Sequence, residues 1–304
     1  MKTIVTGGAG FIGSQVVDRL IEEGHEVVVI DNLSTGKESN INKKAKFYNI
    51  DIQDQKVSEI FEKEKPDYVN HHAAQIDLRL SIKKPILDAQ INILGLINIL
   101  DNSVKHNVKK FIYVSSAAVY GIPGSLPVKE DVAKLPLSPY GIGKWVGELY
   151  LNFYNQTFGL NYTTLRYSNV YGPRQQGGEA GVVSIFIRKV LAGDNPIIFG
   201  DGKQTRDYVF VSDVVDANIL ALTKGDKEAF NIGTGVATSV NDLFSEIKKI
   251  TNHQETAEHA EEIKGELKEI FLDSLKAEDM LGWKSKTSLN DGLNQTYNYF
   301  KNLI

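Results

Sequence analysis

The chain of 304 residues contains no cysteine. Disulfide bonds, catalysis by a thiolate and metal sites with cysteine ligands are therefore excluded. The sequence also lacks an apolar run long enough to cross a bilayer, and its formal net charge of −4 comes without a basic stripe. These absences give no reason to expect a membrane or a nucleic acid among its partners.

A chain of this length can bury a large core and form one large or two modest domains. Because the first predicted strand begins at Lys2, we expect no signal or transit peptide before the fold. The sequence thus predicts a soluble, cytoplasmic protein.

Strand-like apolar runs alternate with segments of helical period through the first half of the chain. The runs cover residues 2–5, 27–30, 46–50, 68–71, 111–115 and 162–166. Continuous apolar strands separated by helices predict a parallel sheet covered on both faces. The expected fold class is therefore α/β, a doubly wound Rossmann-type sheet whose ligands collect at the carboxyl ends of the strands.

The most informative segment is residues 6–13, in which glycines recur at positions 7, 10 and 13. A short strand precedes it, and a helix over residues 14–23 is predicted to follow. Gly7 permits a tight turn, Gly10 lets a pyrophosphate approach the backbone, and Gly13 lets the helix pack closely on the strand. The positive end of the helix would receive the anion. The segment therefore favours a dinucleotide site over a purely structural turn.

Asp31 ends the second predicted strand. A carboxylate there can accept hydrogen bonds from both hydroxyls of the adenosine ribose and would repel a phosphate on the 2′ oxygen, which favours NAD over NADP. The alternative is that Asp31 only caps a turn in residues 32–36. Lys37 lies close enough in sequence to leave room for NADP, but NAD is the preferred cofactor.

Shorter elements and more frequent turns after Tyr171 predict a second lobe. We expect residues 1–171 plus about 209–238 to form the NAD-binding domain. Residues from about 172–208 plus 239–304 would form a smaller, discontinuous α/β lobe that binds the substrate. Amphipathic helices are predicted after residue 239, and a loop around residues 255–262.

Tyr140 and Lys144 are four residues apart and would share one face of a helix that Pro139 helps to start. A free phenol is a weak base near neutral pH, since its pKa is about 10. The adjacent ammonium and a positive nicotinamide ring would lower that pKa. Ser116, at the end of a predicted strand, could relay a proton from the substrate hydroxyl to Tyr140. Taken alone, the Tyr140–Lys144 pair could equally be a surface pair on a helix.

Together, these motifs resemble the extended short-chain dehydrogenase/reductases, and within them the nucleotide-sugar epimerases of the UDP-glucose 4-epimerase type. The motifs are the three glycines, the Ser116 element, the Tyr140/Lys144 pair, residues 166–174, residues 200–208 and residues 281–283. The resemblance implies NAD as cofactor, a UDP-sugar as substrate and a homodimer formed through residues 85–106 and 139–158. Ser116, Tyr140 and Lys144 would be the catalytic residues, and no metal is expected.

The resemblance also implies further binding residues. For the cofactor these are Gly7, Gly10, Phe11, Ile12, Asp31, Asn32, Ser34, Thr35, Gly36, Asp51, Ile52, Ala73, Ala74, Gln75, Asn92, Ser115, Tyr140, Lys144 and Tyr167. For the substrate they are Ser116, Tyr140, Asn169, Val182, Val183, Phe199 and Arg206. Within that set Phe199 would border the uracil, and the arginine fork of Arg206 would neutralise a phosphate.

Several of these residues have simpler interpretations when taken without the resemblance. Asn92 could be an ordinary helix residue, Phe199 a core aromatic, and Arg206 the partner of Asp207 in a structural ion pair. His71 and His72, at a strand end, are predicted to be packing or turn residues.

The sequence departs from the family pattern in two places. Gly143 stands where relatives usually have serine, and a second glycine beside Gly141 should cost about 1 kcal/mol of helix stability. Ile263 stands in the segment where relatives place an arginine that grips the diphosphate, and Lys264 could substitute for it as a point charge. Ile270 falls near a position facing the sugar that varies among relatives.

Ala117 and Ala118 distinguish between the reactions that enzymes of the family resembled by this chain catalyse. A 4,6-dehydratase needs an Asp-Glu pair at these positions, and a decarboxylase of UDP-uronic acids needs a glutamate near the second. We therefore expect 4-epimerisation, with UDP-glucose and UDP-galactose as the foremost pair. The alternatives are 4-epimerisation of UDP-N-acetylglucosamine or UDP-glucuronate, another NAD-dependent modification of a nucleotide sugar, or a non-catalytic NAD-binding regulator. Regulators of that kind typically lose the tyrosine or the lysine.

Overall fold

The computed structural model of the protein describes residues 1–176, 181–262 and 267–303. Its strands are β1 (Lys2–Thr6), β2 (Glu26–Asp31), β3 (Lys46–Asn49), β4 (Tyr68–His71), β5 (Lys110–Ser116), β6 (Tyr162–Tyr167), β7 (Asn169–Tyr171), β8 (Ile197–Phe199), β9 (Thr205–Arg206), β10 (Tyr208–Phe210), β11 (Glu228–Ile232), β12 (Thr238–Ser239) and β13 (Glu258–Ala260). Its α-helices are α1 (Phe11–Glu22), α2 (Val57–Glu64), α3 (Leu78–Lys83), α4 (Pro85–Ala89), α5 (Leu96–Lys105), α6 (Pro139–Phe158), α7 (Val182–Leu191), α8 (Val211–Ala221), α9 (Val240–Thr251), α10 (Leu275–Leu281) and α11 (Leu289–Lys301). In these ranges no helix combines the length and apolar character needed to cross a membrane.

Seven strands form one parallel sheet in the order β11-β6-β5-β4-β1-β2-β3. The chain first builds outward from β1 through β2 and β3, and then returns to add β4 on the other side. The strand order therefore reverses between β1 and β4, where the carboxyl ends of the strands open a crevice. The predicted doubly wound α/β fold is confirmed.

Helices cover both faces of the sheet because its strands are apolar on both sides. On one face, α2, α5 and α6 pack over a core that includes Phe61, Leu100 and Leu151. On the other face, α1 and α8 pack over a larger core. That larger core continues without a break into α7, α9, α10 and α11. The two predicted lobes therefore share one apolar interior.

The structure differs from the predicted elements at the start of α1 and in residues 255–262. Helix α1 begins at Phe11 rather than at residue 14, because Gly10 takes an extended conformation and already serves as the N-cap. Residues 255–262 were expected to form a loop, but Glu258–Ala260 pairs with β8 as strand β13. All three of its side chains are exposed, so the sequence offers none of the apolar alternation that would indicate a strand.

Helix α6 lies very close to strand β5, and glycine makes this possible. A Cβ at Gly147 would lie 2.1 Å from the hydroxyl oxygen of Tyr113, whose hydroxyl donates to the carbonyl of Lys144 at 3.3 Å. A Cβ at Gly141 would lie 2.7 Å from the carbonyl oxygen of Ala118. These glycines cost helix stability, but they place the first turns of α6 directly against the carboxyl end of β5.

Candidate active site

The glycine turn after β1 fits the requirements of an anion cradle. Gly7 has a φ of 70°, and a Cβ on it would lie 2.6 Å from the amide nitrogen of Ala73. A Cβ on Gly13 would lie 2.3 Å from the carbonyl oxygen of Gly7. Gly10 caps α1 and, having no side chain, leaves the amide groups of the first turn to an outside acceptor. The turn is therefore built for close approach of a ligand, not only for a change of chain direction.

Asp31 is buried at the end of β2, where it contacts the glycine turn. One carboxylate oxygen accepts from the amide of Ala9 at 3.0 Å, and the other accepts from the amide of Leu33 at 2.8 Å. The capping alternative is thus correct in part, since Leu33 lies in the following turn. Because a carboxylate can accept about four hydrogen bonds, both oxygens retain capacity for ribose hydroxyls.

The loops that follow β2 and β3 join this arrangement. A Cβ on Gly36 would lie 2.9 Å from that of Ala9, so the loop after β2 lies against the glycine turn. Asn32 donates to the carboxylate of Asp51 at 2.7 Å. Ile52 is buried against Gly95. These contacts bring predicted adenosine-binding residues from separate loops together, while their contacts with a cofactor stay a prediction.

Asn92 lies in a π-helical turn, Gln90–Gly95, between α4 and α5. Its amide oxygen accepts from the backbone amide of Gln75 at 2.9 Å, and its amide nitrogen donates to the carbonyl of Gln75 at 2.9 Å and to Asp88 at 3.0 Å. The side chain therefore holds the loop after β4 in place. A direct contact of Asn92 with the cofactor stays a prediction.

Asp88 is a buried residue of this network that the sequence analysis did not single out. Its carboxylate also accepts from the side chain of Gln75 at 2.8 Å. A Cβ on Gly143 would lie 3.4 Å from the second carboxylate oxygen of Asp88 and 3.3 Å from Cβ of Asn92. The unusual glycine before Lys144 thus lets α6 pack closely against this network. In the sequence, the only local sign of this close packing is Gly143 itself.

Ser116, Tyr140 and Lys144 come together at the carboxyl end of β5. The side chains of Tyr140 and Ser116 lie close enough to interact. Lys144 is buried and donates to the carbonyl of Val114 at 2.8 Å, with its ammonium 6.0 Å from the ring centroid of Tyr140. Ser138 caps α6 by accepting from the amide of Gly141 at 3.1 Å, so the helix starts as the sequence predicted.

Burial shifts the pKa of both groups. Burial raises the pKa of Tyr140 above its ordinary value, more than the nearby hydroxyl of Ser116 lowers it, and the carboxylate of Asp88 raises it further. The expectation that the Lys144 ammonium together with a positive nicotinamide ring lowers this pKa stays a prediction for the protein with NAD bound. Burial lowers the pKa of Lys144 to about 8, against the opposing effect of Asp88 and Glu148.

The two histidines at the end of β4 match their predicted structural role. His71 is buried, lies 2.9 Å from the hydroxyl of Thr6, and packs its ring against Phe111 at a centroid distance of 5.7 Å. Burial lowers the pKa of His72 to about 3, assisted by the charge of Lys144. Both imidazoles are therefore neutral near pH 7.

The predicted substrate residues differ in accessibility. Val183 is buried in the large core, whereas Val182 packs against that core from its rim. Phe199 ends β8 with 41% of its surface exposed, so it is not a core aromatic. Arg206 lies on strand β9, and its guanidinium donates to the carbonyl of Thr205 at 2.8 Å.

Near the end of β6, the segment predicted to face the substrate is firmly anchored. The amide of Asn169 donates to the carbonyl of Asp207 at 2.9 Å, and the hydroxyl of Ser168 donates to the same oxygen at 2.5 Å. Tyr167 accepts from Asn218 at 2.6 Å. Ile263 and Lys264, where a diphosphate-binding cation was expected among relatives, lie outside the described residues.

Known proteins share this architecture along the whole chain. Residues 3–233 match the family described as the NAD dependent epimerase/dehydratase family. A UDP-glucose 4-epimerase of Mycolicibacterium smegmatis is 41% identical, with 99% of each chain covered. The crystal structure of Thermotoga maritima UDP-glucose 4-epimerase with UDP-glucose has a TM-score of 0.98 at 48% identity, covering 100% of this chain and 99% of that one. The Thermus thermophilus UDP-glucose 4-epimerase complex with NAD has a TM-score of 0.95 at 37% identity, covering 100% of both chains. The motif resemblance is thereby confirmed, and the chain belongs to the NAD dependent epimerase/dehydratase family.

Proposed function

We propose that this protein catalyses the NAD-dependent 4-epimerisation of a UDP-sugar, with UDP-glucose and UDP-galactose as the foremost pair. The observation that carries the proposal is the meeting of Ser116, Tyr140 and Lys144 at the carboxyl end of β5, on the edge of the sheet that holds the glycine turn. The UDP-glucose 4-epimerases among its relatives support the same reaction.

The residues of the crevice fit NAD. A Cβ at Gly7 would clash with the backbone that follows β4, and a Cβ at Gly13 would clash with the carbonyl of Gly7. The Asp31 carboxylate suits a ribose without a 2′-phosphate. Gly10, Phe11 and Ile12 would hold the pyrophosphate at the start of α1. NAD, when bound, supplies the positive ring that accepts a hydride from the sugar and returns it, and whose charge favours the phenolate of Tyr140.

Tyr140 is the group that moves the proton. Its phenolate would accept the proton of the sugar 4-hydroxyl and give it back to that oxygen once C4 has been reduced from its opposite face. Ser116, which lies beside it, would bond the same sugar oxygen and keep it aligned. Lys144 would contribute a nearby positive charge and a donor for the nicotinamide ribose.

The smaller lobe would bind the nucleotide. We place this lobe at residues from about 172–208 plus 239–304, against a cofactor domain of residues 1–171 plus about 209–238. Arg206 would neutralise a phosphate, Phe199 would border the uracil, and Asn169 would face the diphosphate. Val182 and Val183 would lie along the nucleotide through α7. Ala117 and Ala118 supply no acid for dehydration or decarboxylation, so hydride removal and return remain.

The proposal predicts turnover of UDP-galactose to UDP-glucose by the purified protein without added reductant, because the hydride is returned in each cycle. Separate incubations with UDP-galactose, UDP-N-acetylglucosamine and UDP-glucuronate, followed by chromatographic separation, would measure it. Faster turnover of either of the other two would redirect the substrate assignment. Inversion of none of them would contradict the proposed function.

We also propose a homodimer formed through α4, the π-helical turn, α5 and α6. Apolar side chains are exposed on these neighbouring elements, at Ile86, Leu94, Ile142, Leu149 and Phe153. The last three are spaced to share one face of α6. Exposed apolar side chains grouped on neighbouring elements are typical of a protein–protein interface.

The double substitution Leu149→Glu/Phe153→Glu is expected to convert the dimer into monomers. A two-fold axis buries each side chain twice, and burying one such side chain contributes about 1.5–3 kcal/mol. Light scattering would measure the mass. Leu275→Glu, at an exposed leucine on α10, should leave the mass unchanged. A wild-type protein that is monomeric at micromolar concentration would rule the dimer out.

A further inference from the structure

A buried ion pair joins α6 to β6 behind the catalytic serine. Arg166 donates to the two carboxylate oxygens of Glu148, from Nη2 at 2.7 Å and from Nε at 3.0 Å. Both side chains are buried. On α6, Glu148 follows Lys144 by four residues and Tyr140 by eight, so all three share one face of the helix.

The pair holds both ends of the short segment that carries Ser116. On one side, the hydroxyl of Ser115 donates to Glu148 at 2.6 Å. On the other side, the hydroxyl of Tyr120 accepts from Arg166 Nη1 at 2.8 Å. Ser116 lies between these two attachments, so its position relative to Tyr140 depends on them.

The attachment at Tyr120 also reaches the edge of the sheet. Its hydroxyl donates to Asn231 on β11 at 2.6 Å. Asn231 in turn donates to the carbonyl oxygens of Val128 at 2.8 Å and Asp273 at 3.0 Å. Val128 bridges to Leu272 in the smaller lobe. The segment carrying Ser116 is thus tied to both lobes.

Stability alone does not account for such a pair. Taking two charges out of water costs several kcal/mol, and apolar residues of similar volume are often at least as stabilising. A carboxylate and a guanidinium do supply directional hydrogen bonds that fix neighbouring groups. Here those bonds go to Ser115 and Tyr120, on either side of the catalytic serine.

Glu148 has a second effect through its charge, because it lies near Lys144. Several ionisable groups face the Lys144 ammonium from the surrounding elements: Asp88 on α4, His71 and His72 at the end of β4, Tyr113 on β5, and Tyr140 and Glu148 on α6. The two carboxylates favour the charged form of Lys144, which burial disfavours. The imidazoles are neutral and the phenols uncharged near pH 7.

We propose that Glu148 and Arg166 are positioning residues of the reaction, which hold Ser116 in register with Tyr140 without touching the substrate. This inference rests on the proposed function. Its distinctive consequence is that a change in the pair alters both the rate and the pH range of turnover, whereas a merely structural pair would alter stability only.

Glu148→Gln is expected to lower kcat by roughly ten- to a hundredfold, because sub-ångström placement of reacting groups carries effects of that size. The KM for the UDP-sugar should stay within about twofold, since Glu148 does not contact the substrate. Lys144, whose pKa is about 8, should lose its proton at lower pH without this carboxylate. The alkaline limb of the kcat profile should therefore move to lower pH.

Tyr120→Phe separates placement from charge. It removes the hydroxyl that accepts from Arg166 and leaves the Glu148 carboxylate intact. We expect kcat to fall by about tenfold, with the alkaline limb unmoved. Deuterium uptake by the backbone of residues 115–121 should increase in this variant and in Glu148→Gln, which tests the attachment independently of activity.

A matched control lies at the opposite end of the same strand. Lys110 starts β5, is buried, and donates to Asp226 at 2.5 Å. Asp226→Asn also weakens the partner of a buried charge, but far from the site. It should lower the unfolding temperature and leave kcat, the alkaline limb and the exchange of residues 115–121 unchanged.

The outcomes distinguish the possible failures. Glu148→Gln and Tyr120→Phe with wild-type kcat, pH profile and exchange would overturn the positioning role. If Glu148→Gln does not fold, Tyr120→Phe and Ser115→Ala decide the question by the same measurements. If the wild-type protein turns over none of the UDP-sugars, the proposed function fails, and the exchange measurements still test whether the ion pair holds the segment.

Discussion

Tyr140→Phe should lower kcat for UDP-galactose turnover by roughly 10²–10⁴-fold, the range that a positioned general acid–base group contributes. The substitution removes only the phenolic oxygen, which lies beside Ser116. Lys144 keeps its bond to the Val114 carbonyl, so the surrounding geometry should persist. Steady-state kinetics measure the rate, and the NAD content of the purified variant, measured after denaturation, should equal that of the wild type.

Tyr150→Phe provides the control for this experiment, because it makes the same change on the same helix ten residues further along. It should leave kcat within about twofold of wild type, as is usual for substitutions away from the reacting groups. A Tyr140→Phe enzyme that kept the wild-type rate would contradict the assigned proton transfer.

Gly13→Ala is expected to produce the largest loss of cofactor affinity. The added Cβ would lie 2.3 Å from the carbonyl oxygen of Gly7 and 3.0 Å from its carbonyl carbon, so the turn must move. Overpacking of this kind costs about 1–3 kcal/mol, which corresponds to a rise in the Kd for NAD of roughly one to two orders of magnitude. Isothermal titration of cofactor-depleted protein would measure it.

The matched control is Gly124→Ala, where an added Cβ meets nothing within 4 Å. Its Kd for NAD should equal that of the wild type. If Gly13→Ala bound NAD with unchanged affinity, the glycine turn would not be the pyrophosphate site, and the assignment of Gly10, Phe11 and Ile12 would fall with it.

Local patterns in the sequence were sufficient for the sheet, the glycine turn and α6. Each is encoded by neighbouring residues: apolar runs for the strands, glycine spacing for the turn, and Pro139 for the start of the helix. Tyr140 and Lys144 could be paired because both lie on one helix. Ser116 could be joined to them because it ends a predicted strand, where the ligands of a parallel sheet collect.

The network around the catalytic groups could not be predicted in this way. Asp88 owes its role to Gln75 and Asn92, and Glu148 owes its role to Arg166 and Ser115. These partners come from separate elements that only the fold brings together, and no periodicity marks a carboxylate that will be buried. The burial that raises the pKa of Tyr140 could not be predicted either, because desolvation is a property of the surroundings.

The continuous core described above limits how this enzyme can be re-engineered. Side chains of α7, α9, α10 and α11 share one core with those of α1 and α8, so the proposed substrate lobe could not be replaced intact by that of a relative. Exchanging it would require many simultaneous repacking changes in a close-packed interior. We therefore expect individual substitutions around the crevice, and not exchange of the whole lobe, to change which sugar this enzyme prefers.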